Sequence, residues 1–279
     1  MIEDKKIQPI DLERTIHNKN PKLLKRLPGF VRRYMKRIVH QDELNDFLGT
    51  TENILAHDFV TALLGKFQIH VISEGAENIP EQGGCIIVCN HPLGGIDGLA
   101  IMNEVGKKRK DIKALVNDIL MTLQNLSSLL IPIDKHEKNL TESLRRIEQV
   151  YASEECVIIF PAGLVSRRKN GTIKDLDWKK SFIAKAIKYK HNVIPVYVDG
   201  RNSNFFYNLA TIRKTMGIKA NLEMFYLVDE VFKQRGKFIK LFIGAPIPYT
   251  VFTKAHTNLY WAEKVKEHVY ALKHNKKVL

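Results

Sequence analysis

The positions of apolar and polar residues along this chain predict short β-strands separated by α-helices. From about residue 68, short apolar runs rich in β-branched residues alternate with longer runs whose apolar residues recur at helical spacing. The predicted strands are Ile69–Ser73, Cys85–Cys89, Ala114–Val116, Leu130–Ile133, Cys156–Phe160, Val193–Val198, Leu222–Leu227 and Phe238–Ile243. The predicted helices are Gly98–Lys107, Thr141–Ala152, Trp178–Tyr189, Phe205–Thr215 and a last helix over residues 258–273.

Two of the predicted strands, CIIVC and CVIIF, are continuously apolar rather than alternating. Strands have this composition when helices cover both faces of their sheet. Since strands and helices alternate, we expect an α/β fold with a mixed, largely parallel sheet covered by helices. The first 65 residues differ, because their pattern is helical throughout. The sequence therefore predicts an N-terminal basic helical region over residues 1–65 and an α/β domain over residues 66–279.

The N-terminal region contains a strongly basic segment. Residues 17–41 carry eight Lys or Arg and no Asp or Glu, and Pro28-Gly29 interrupts their helical pattern. A basic helix with one apolar stripe can lie on an anionic bilayer, where each Lys or Arg near the surface contributes about 1 kcal/mol. The pattern fits equally a helix packed on its own domain with a solvated basic face. Its apolar residues are Leu24, Leu27, Val31, Tyr34 and Ile38.

Composition adds an excess of positive charge. The 279 residues include 44 Lys+Arg against 30 Asp+Glu, a net charge of +14, while 44% are hydrophobic. This composition excludes disordered and collagen-like chains, and the charge points to an anionic partner: nucleic acid, an anionic membrane surface or an acidic small molecule.

Two sequence features predict where the protein works. No stretch approaches the roughly 20 apolar residues of a membrane span, and the first residues lack the apolar core of a signal peptide. The three cysteines lie in or beside apolar runs, as expected for buried thiols in a reducing compartment. We therefore expect peripheral contact with the cytoplasmic face of the cell membrane.

Polar residues gather at the predicted carboxyl ends of strands, where ligand sites form in sheets of this type. The segment 90–98 follows the second predicted strand, and the segments 133–136 and 160–168 follow the fourth and fifth. In the first of these, His91 with Asp97 forms a candidate general base with an orienting carboxylate. The alternative is that Asp97 caps the next helix and His91 is an ordinary turn residue.

The chemistry of this candidate base depends on what accompanies it. The chain has no G-x-S-x-G elbow, so a substrate hydroxyl would be the nucleophile, as in direct acyl transfer to a hydroxyl. No metal or nucleotide cofactor is expected, because H-E-x-x-H, P-loop and G-x-G-x-x-G motifs are absent and Cys85 and Cys89 have the wrong spacing for a zinc pair. Lys135, Arg167 and Arg168 could hold an anionic substrate group or be solvated surface charges.

These strand-end segments resemble the four sequence blocks of the glycerolipid acyltransferase superfamily, which includes the lysophosphatidic acid acyltransferases. Those blocks are Asn-His-x4-Asp, Ile-Asp-Arg, Phe-Pro-Glu-Gly-Thr-Arg-Ser and Val/Ile-Pro-Val. They match Asn90 to Asp97, Ile133 to Lys135, Phe160 to Ser166, and Ile194 to Val196. The resemblance implies that residues 66–279 form an acyltransferase domain.

The resemblance also implies roles for individual residues and partners. His91 would be the general base, Asp97 its partner, and the acyl donor a thioester of acyl carrier protein or coenzyme A. The third block would line the acceptor site. The candidate substrate-binding residues are therefore Asn90, Lys135, Phe160, Pro161, Gly163, Ser166 and Arg167.

Three departures from the family pattern point to an unusual acceptor. The spacing from His91 to Asp97 is one residue longer than usual, Ala162 and Val165 replace the Glu and Arg of the third block, and Lys135 replaces Arg in the second. The segments HPLGGIDG, FPAGLVS and GRNS resemble the bacterial hemolysin-like subgroup, which includes enzymes that add an ester-linked fatty acid to acylated amino-acid lipids. This resemblance implies a lyso-aminolipid acceptor.

Three other functions remain as alternatives. One is a lysophosphatidic acid acyltransferase that makes phosphatidic acid. A second is a non-enzymatic lipid-binding protein with this fold, and a third is a nucleic-acid-binding module suggested by the charge. Nucleic acid is the less favoured partner, because the chain has no helix-turn-helix, RNP or zinc-finger pattern.

Overall fold

The computed structural model describes residues 8–116, 122–133, 140–218, 221–274 and 278–279. The strands are β1 (His70–Glu74), β2 (Cys85–Cys89), β3 (Ile112–Val116), β4 (Leu130–Pro132), β5 (Cys156–Ile159), β6 (Arg167–Lys169), β7 (Thr172–Lys174), β8 (Asn192–Asp199) and β9 (Phe238–Ile243). The helices are α1 (Leu12–Lys19), α2 (Pro21–Arg26), α3 (Gly29–Ile38), α4 (Gln41–Thr50), α5 (Ala56–Lys66), α6 (Gly95–Val105), α7 (Leu140–Ala152), α8 (Ser181–Tyr189), α9 (Asn204–Thr215), α10 (Leu227–Phe232) and α11 (Asn258–Leu272).

Seven strands form one sheet in the order β1-β9-β8-β2-β5-β3-β4. Neighbouring strands are parallel except for the pair β8 and β9, which confirms the mixed, largely parallel α/β fold. Every residue of β2 is buried, because this central strand has helices on both faces. The core on one face includes residues of α5 and α6, and the core on the other includes residues of α7, α8 and α11.

One predicted strand is wrong. Residues Leu222–Leu227 form a 3-10 turn (Leu222–Tyr226) that continues into α10. A six-residue apolar run cannot be assigned to strand or helix by its periodicity alone. Here Glu223 in the middle of the run is fully buried and forms ion pairs with two arginines. These ion pairs, rather than hydrogen bonds to a neighbouring strand, hold the segment in place.

The sequence prediction also missed the hairpin formed by β6 and β7. Asn170 and Gly171 connect these strands, and their φ angles are +50° and +76°. Asn-Gly is the residue pair that tight hairpin turns favour, because both central residues need a positive φ. This hairpin directly follows the third sequence block.

The predicted helical pattern near the N-terminus corresponds to α1 to α5, with the break between α2 and α3 at Leu27 and Pro28. Four residues of α5 are buried in the same core as the sheet. The division of the chain at residue 65 therefore stays a prediction.

Within the described ranges, every helix is too short or too polar to span a bilayer.

Candidate active site

The site is built where β2 ends and α6 begins. Asn90 follows β2 and ties it to β8, since its side-chain amide donates to the Val198 carbonyl at 3.0 Å and its oxygen accepts from the Val198 N–H at 2.7 Å. This pair of bonds fixes the strand end from which the next residue, His91, projects. The structure thus gives Asn90 a positioning contact with the backbone of a neighbouring strand.

His91 and Asp97 are in direct contact across the turn. His91 Nδ1 lies 3.0 Å from Asp97 Oδ2, and that same oxygen accepts from the backbone N–H groups of Leu93 at 2.9 Å and Gly94 at 3.1 Å. Gly94 has a φ of +88°, which a residue with a side chain rarely adopts. The six-residue spacing therefore still closes, and Asp97 both caps α6 and orients His91.

The two side chains of this pair differ in their access to solvent. Asp97 is fully buried, whereas 17% of the His91 side chain is exposed. Burial raises the pKa of the Asp97 carboxyl, and the hydrogen bonds from His91, Leu93 and Gly94 oppose that rise. The imidazole is thus the part of the pair that a substrate can reach.

The third block packs directly against the first. The Phe160 ring stacks on the His91 ring with centroids 4.3 Å apart and an interplanar angle of 30°. The Ser166 N–H donates to the His91 carbonyl at 2.8 Å, and the Gly163 N–H closes a turn on the Phe160 carbonyl at 2.9 Å. Pro161 is buried, and its carbonyl accepts from the Lys179 N–H at 3.1 Å. Two predicted site residues of the third block, Phe160 and Ser166, therefore contact His91, and Pro161 and Gly163 lie in the segment between them.

A buried carboxylate that the sequence analysis did not single out holds the two blocks together. Asp175 Oδ1 accepts from the His91 backbone N–H at 3.1 Å and from the Ser166 hydroxyl at 2.5 Å. Its Oδ2 accepts from the Trp178 indole N–H at 2.9 Å, and its own N–H donates to the Tyr270 hydroxyl at 2.8 Å. Asp175 follows the unpredicted hairpin, so the residue pattern near His91 gave no indication of it.

Arg167 is engaged in an ion pair rather than free at the site. Its guanidinium lies 2.8 Å from the fully buried Glu223 carboxylate, which also pairs with Arg213 at 2.8 Å. Burial lowers the pKa of Arg167, and the Glu223 charge opposes this effect. The geometry favours a structural role for Arg167, and its predicted substrate contact stays a prediction.

Two other arginines lie close together without a carboxylate partner among the described residues. Arg168 and Arg201 each donate to the side-chain oxygen of Asn204, at 2.7 Å and 2.6 Å. Their donor nitrogens are therefore at most 5.3 Å apart. Arg168 also lies over the Tyr207 ring, 5.2 Å from its centroid. Two such guanidinium groups at the first residue of a helix form a favourable setting for an anion.

Comparisons with known proteins identify the family. A family model described as Acyltransferase matches residues 14–278. The chain belongs to this acyltransferase family.

The relatives agree with that assignment. A lyso-glycine lipid O-acyltransferase of Bacteroides thetaiotaomicron is 46% identical over 94% of this chain and 97% of its own length. An enzyme of the same name from Phocaeicola vulgatus is 46% identical over 96% of this chain and 97% of its own length. The 1-acyl-sn-glycerophosphate (LPA) acyltransferase PlsC of Thermotoga maritima shares 17% identity and a TM-score of 0.47 over 87% of this chain and 91% of its own. The family model and the two enzymes that are 46% identical to this chain confirm the resemblance to the lipid acyltransferases.

The structure of this acyltransferase tests only part of the predicted second block. Lys135 and its neighbour Asp134 lie outside the described residues.

In the third block, the two residues that replace the family's Glu and Arg, Ala162 and Val165, are both buried. Val165 packs beside Phe206 and Tyr207. The third block of this acyltransferase therefore has two buried apolar side chains where the family pattern has charged ones.

Replacing Asp175 with alanine should destabilise the acyltransferase and lower its activity. Three donors, on His91, Ser166 and Trp178, would lose their acceptor, and we expect the free energy of unfolding to fall by about 3 kcal/mol. Urea unfolding measures this change. Asp177→Ala, at an exposed position two residues away, is the matched control and should change stability by less than about 0.5 kcal/mol. Equal stabilities of the two variants would contradict the role given to Asp175.

Proposed function

We propose that this acyltransferase moves a fatty acyl group from an acyl thioester, carried by acyl carrier protein or coenzyme A, to the hydroxyl of a lyso-aminolipid. The observation that carries the mechanism is the contact between His91 and Asp97, with the buried carboxylate on one ring nitrogen and the ring itself open to solvent. The acceptor class is supported by the relatives named lyso-glycine lipid O-acyltransferase, which are 46% identical to this chain.

The contact between His91 and Asp97 indicates which imidazole nitrogen acts as the general base. An ionised carboxylate only accepts hydrogen bonds, so Asp97 holds the proton of His91 on Nδ1 and leaves the Nε2 lone pair free. Nε2 removes the proton of the acceptor hydroxyl while the hydroxyl oxygen bonds to the thioester carbonyl carbon. The C–S bond then breaks, and the leaving thiolate takes the proton from the imidazolium, which gives the ester and a free thiol.

We assign recognition of the acceptor head group to Arg168 and Arg201. A lyso-aminolipid with a free carboxylate presents an oxygen pair that guanidinium groups bind through two parallel hydrogen bonds. Arg168 lies on the hairpin strand β6, two residues after Ser166. The Ser166 N–H donates a hydrogen bond to the His91 carbonyl, so the hairpin begins beside the proposed base. A phosphomonoester fits the same two arginines, so lysophosphatidic acid is the second candidate acceptor.

Arg168→Ala tests this assignment by its effect on substrate binding. We expect the KM for the acceptor to rise about tenfold while kcat changes by less than about twofold, because the contact is remote from the reacting hydroxyl. Steady-state kinetics at saturating donor measures both constants. The control is Lys169→Ala, at the exposed next position, which should leave KM unchanged. An unchanged KM in Arg168→Ala would count against the head-group site.

The acceptor and donor are tested directly with purified enzyme. Lyso-glycine lipid and lysophosphatidic acid are each offered with acyl carrier protein and coenzyme A thioesters, and the products are identified by mass spectrometry. We expect the lyso-aminolipid to be acylated faster than lysophosphatidic acid. In cells that lack the gene, a diacylated aminolipid should disappear and its mono-acyl precursor should accumulate. Normal aminolipids in those cells would refute the proposed acceptor.

The proposed substrate is a membrane lipid, which requires the enzyme to reach a bilayer. We assign this contact to the basic helical region within residues 1–65, at the cytoplasmic face of the cell membrane. Helix α3 supports the assignment, because all of its residues are at least partly exposed.

A further inference from the structure

The exposed face of α3 combines aromatic rings with positive charges. Phe30 is 72% exposed and Tyr34 50% exposed, and Arg33 and Arg37 are exposed beside them. At roughly 100° per residue, these four residues lie within about 60° of one direction on the helix. Aromatic and basic residues on one helix face are typical of helices that lie in the interface of an anionic bilayer.

A second segment, distant in sequence, exposes apolar residues in the same way. Phe205 and Ile212 of α9 and Met216, which directly follows the helix, lie within about 20° of one direction, and Met216 is 69% exposed. The chain that follows adds three more exposed apolar side chains, at Ile218, Leu222 and Phe225.

Ring contacts join the two segments into one surface. The Tyr34 hydroxyl lies 3.0 Å from the Tyr226 hydroxyl, and the Phe205 and Tyr226 rings meet edge to face at 4.9 Å. We call this surface the apolar face. It consists of Phe30, Tyr34, Phe205, Ile212, Met216, Ile218, Leu222 and Phe225.

Within the two segments that carry the apolar face, almost all charges are positive; Glu13 of α1 pairs with Arg32 and Lys36 of α3. Residues 17–41 contain no acid, and in residues 204–227 Glu223 is the single acid. Glu223 is fully buried between Arg167 and Arg213, so it presents no negative charge to a partner. An anionic surface is therefore complementary to this face.

The apolar face also adjoins the active site. Leu227, the residue after the 3-10 turn, packs over Gly94, since a Cβ at that glycine would lie 3.2 Å from Leu227 Cδ2. Arg168 donates hydrogen bonds to Asn204 and Asn208 of α9, so the proposed head-group site adjoins the helix that bears Ile212 and that Met216 directly follows. A lipid leaving a bilayer at this face would have a short path to His91.

We propose that α9 and the 3-10 turn after it form, together with α3, a single surface that docks on an anionic bilayer beside the active-site entrance. The inference rests on the proposed lipid acceptor but extends the membrane contact beyond the N-terminal region to residues 205–225. Aromatic and aliphatic side chains enter the interface, while Arg33, Arg37 and Lys214 meet the anionic head groups.

The test measures binding to vesicles of phosphatidylcholine alone and of phosphatidylcholine mixed with phosphatidylglycerol, without donor or acceptor. For the full chain carrying Ile212→Asp and Met216→Asp, we expect the partition coefficient on the anionic vesicles to fall at least about tenfold. Arg33→Glu with Arg37→Glu should cause a similar loss that high salt masks, because the wild-type charge contribution is then screened. A milder pair, Ile212→Ser and Met216→Ser, should show a smaller loss in the same direction.

The matched control pairs Leu144→Asp with Leu259→Asp. These leucines are 54% and 57% exposed, comparable to Ile212 at 56%, but they lie on α7 and α11 on the other face of the sheet. The control should bind vesicles as the wild type does. Equal binding by the α9 variants and the control, with matching circular dichroism, would overturn the inference. Self-association of the wild type that the α9 variants abolish, without vesicle binding, would also overturn it in favour of a second copy on this face.

The two proposals fail in different ways. Absence of acyl transfer by a wild-type enzyme that binds vesicles through α9 would refute the proposed function and leave the docking surface standing. Acyl transfer to a lyso-aminolipid, with vesicle binding insensitive to α9, would refute the docking surface alone.

Discussion

His91→Ala is expected to reduce acyl transfer by about 10²–10⁴-fold, the range that a positioned general base contributes. The imidazole is the group of this pair that Asp97 orients and that solvent reaches. The loss should fall on kcat, because the proton is transferred in the chemical step. Product formation from acyl thioester and lyso-aminolipid, followed by mass spectrometry, measures it.

The control for this variant separates chemistry from folding. His70→Ala removes a histidine from an exposed position on β1 and should retain full activity. Added imidazole should partly restore activity to His91→Ala, which a purely structural role for the ring would not produce. Undiminished transfer by His91→Ala would eliminate the base mechanism.

Asp97→Asn should lower acyl transfer by about 10²–10⁴-fold as well, for a different reason. The amide oxygen could still accept from His91, Leu93 and Gly94, but it carries no charge to stabilise the imidazolium that forms during transfer. Because the two residues act as a unit, the double variant with His91→Ala should be little worse than His91→Ala alone. Multiplicative losses in the double variant would indicate independent roles.

Asp97→Asn is expected to lower activity, but its effect on stability has the opposite sign. Burial raises the Asp97 pKa above its ordinary value of 3.8, so the folded state binds this proton more tightly than the unfolded state does. Wild-type stability should therefore lose a contribution as the pH rises from about 3.8 through the raised folded pKa, and this loss should be complete above it. The Asp97→Asn variant has no carboxyl to titrate at this position, so it should not show this loss of stability.

Urea unfolding of both proteins across that pH interval measures the difference. The stability of Asp97→Asn relative to wild type should increase as the pH rises. A constant difference across the interval would show that the buried carboxyl does not titrate differently on folding. An inactive variant with unimpaired neutral-pH stability would place the requirement for Asp97 in catalysis rather than in folding.

Much of the sheet and of the site's location followed from the sequence. Buried parallel strands are continuously apolar, so Cys85–Cys89 was predicted with the bounds that the structure shows. Since parallel strands place their carboxyl ends at one edge, the segments that follow β2 and β5 were expected to meet. They do so through the Phe160 ring on His91 and the bond from Ser166 to the His91 carbonyl.

The sequence left open whether Asp97 caps a helix or orients His91, and only the folded turn answered it. One carboxylate oxygen does both, because the positive φ of Gly94 brings the backbone N–H groups and the imidazole to the same side. Spacing along the chain does not specify this geometry, since an extra residue can either open or close such a turn.

The sequence by itself determined the α/β class, the positions of most strands along the chain, and the polar segments that follow them. The order of the strands within the sheet came only from the structure. Only the tertiary structure decided which charged residues are free. Arg167 is paired with Glu223, 56 residues later, while Arg168 next to it shares Asn204 with Arg201 and has no acidic partner among the described residues. Hydrophobic periodicity is a local property that burial imposes on each element. A charge partner depends on how distant elements pack, and no pattern within one segment contains that information.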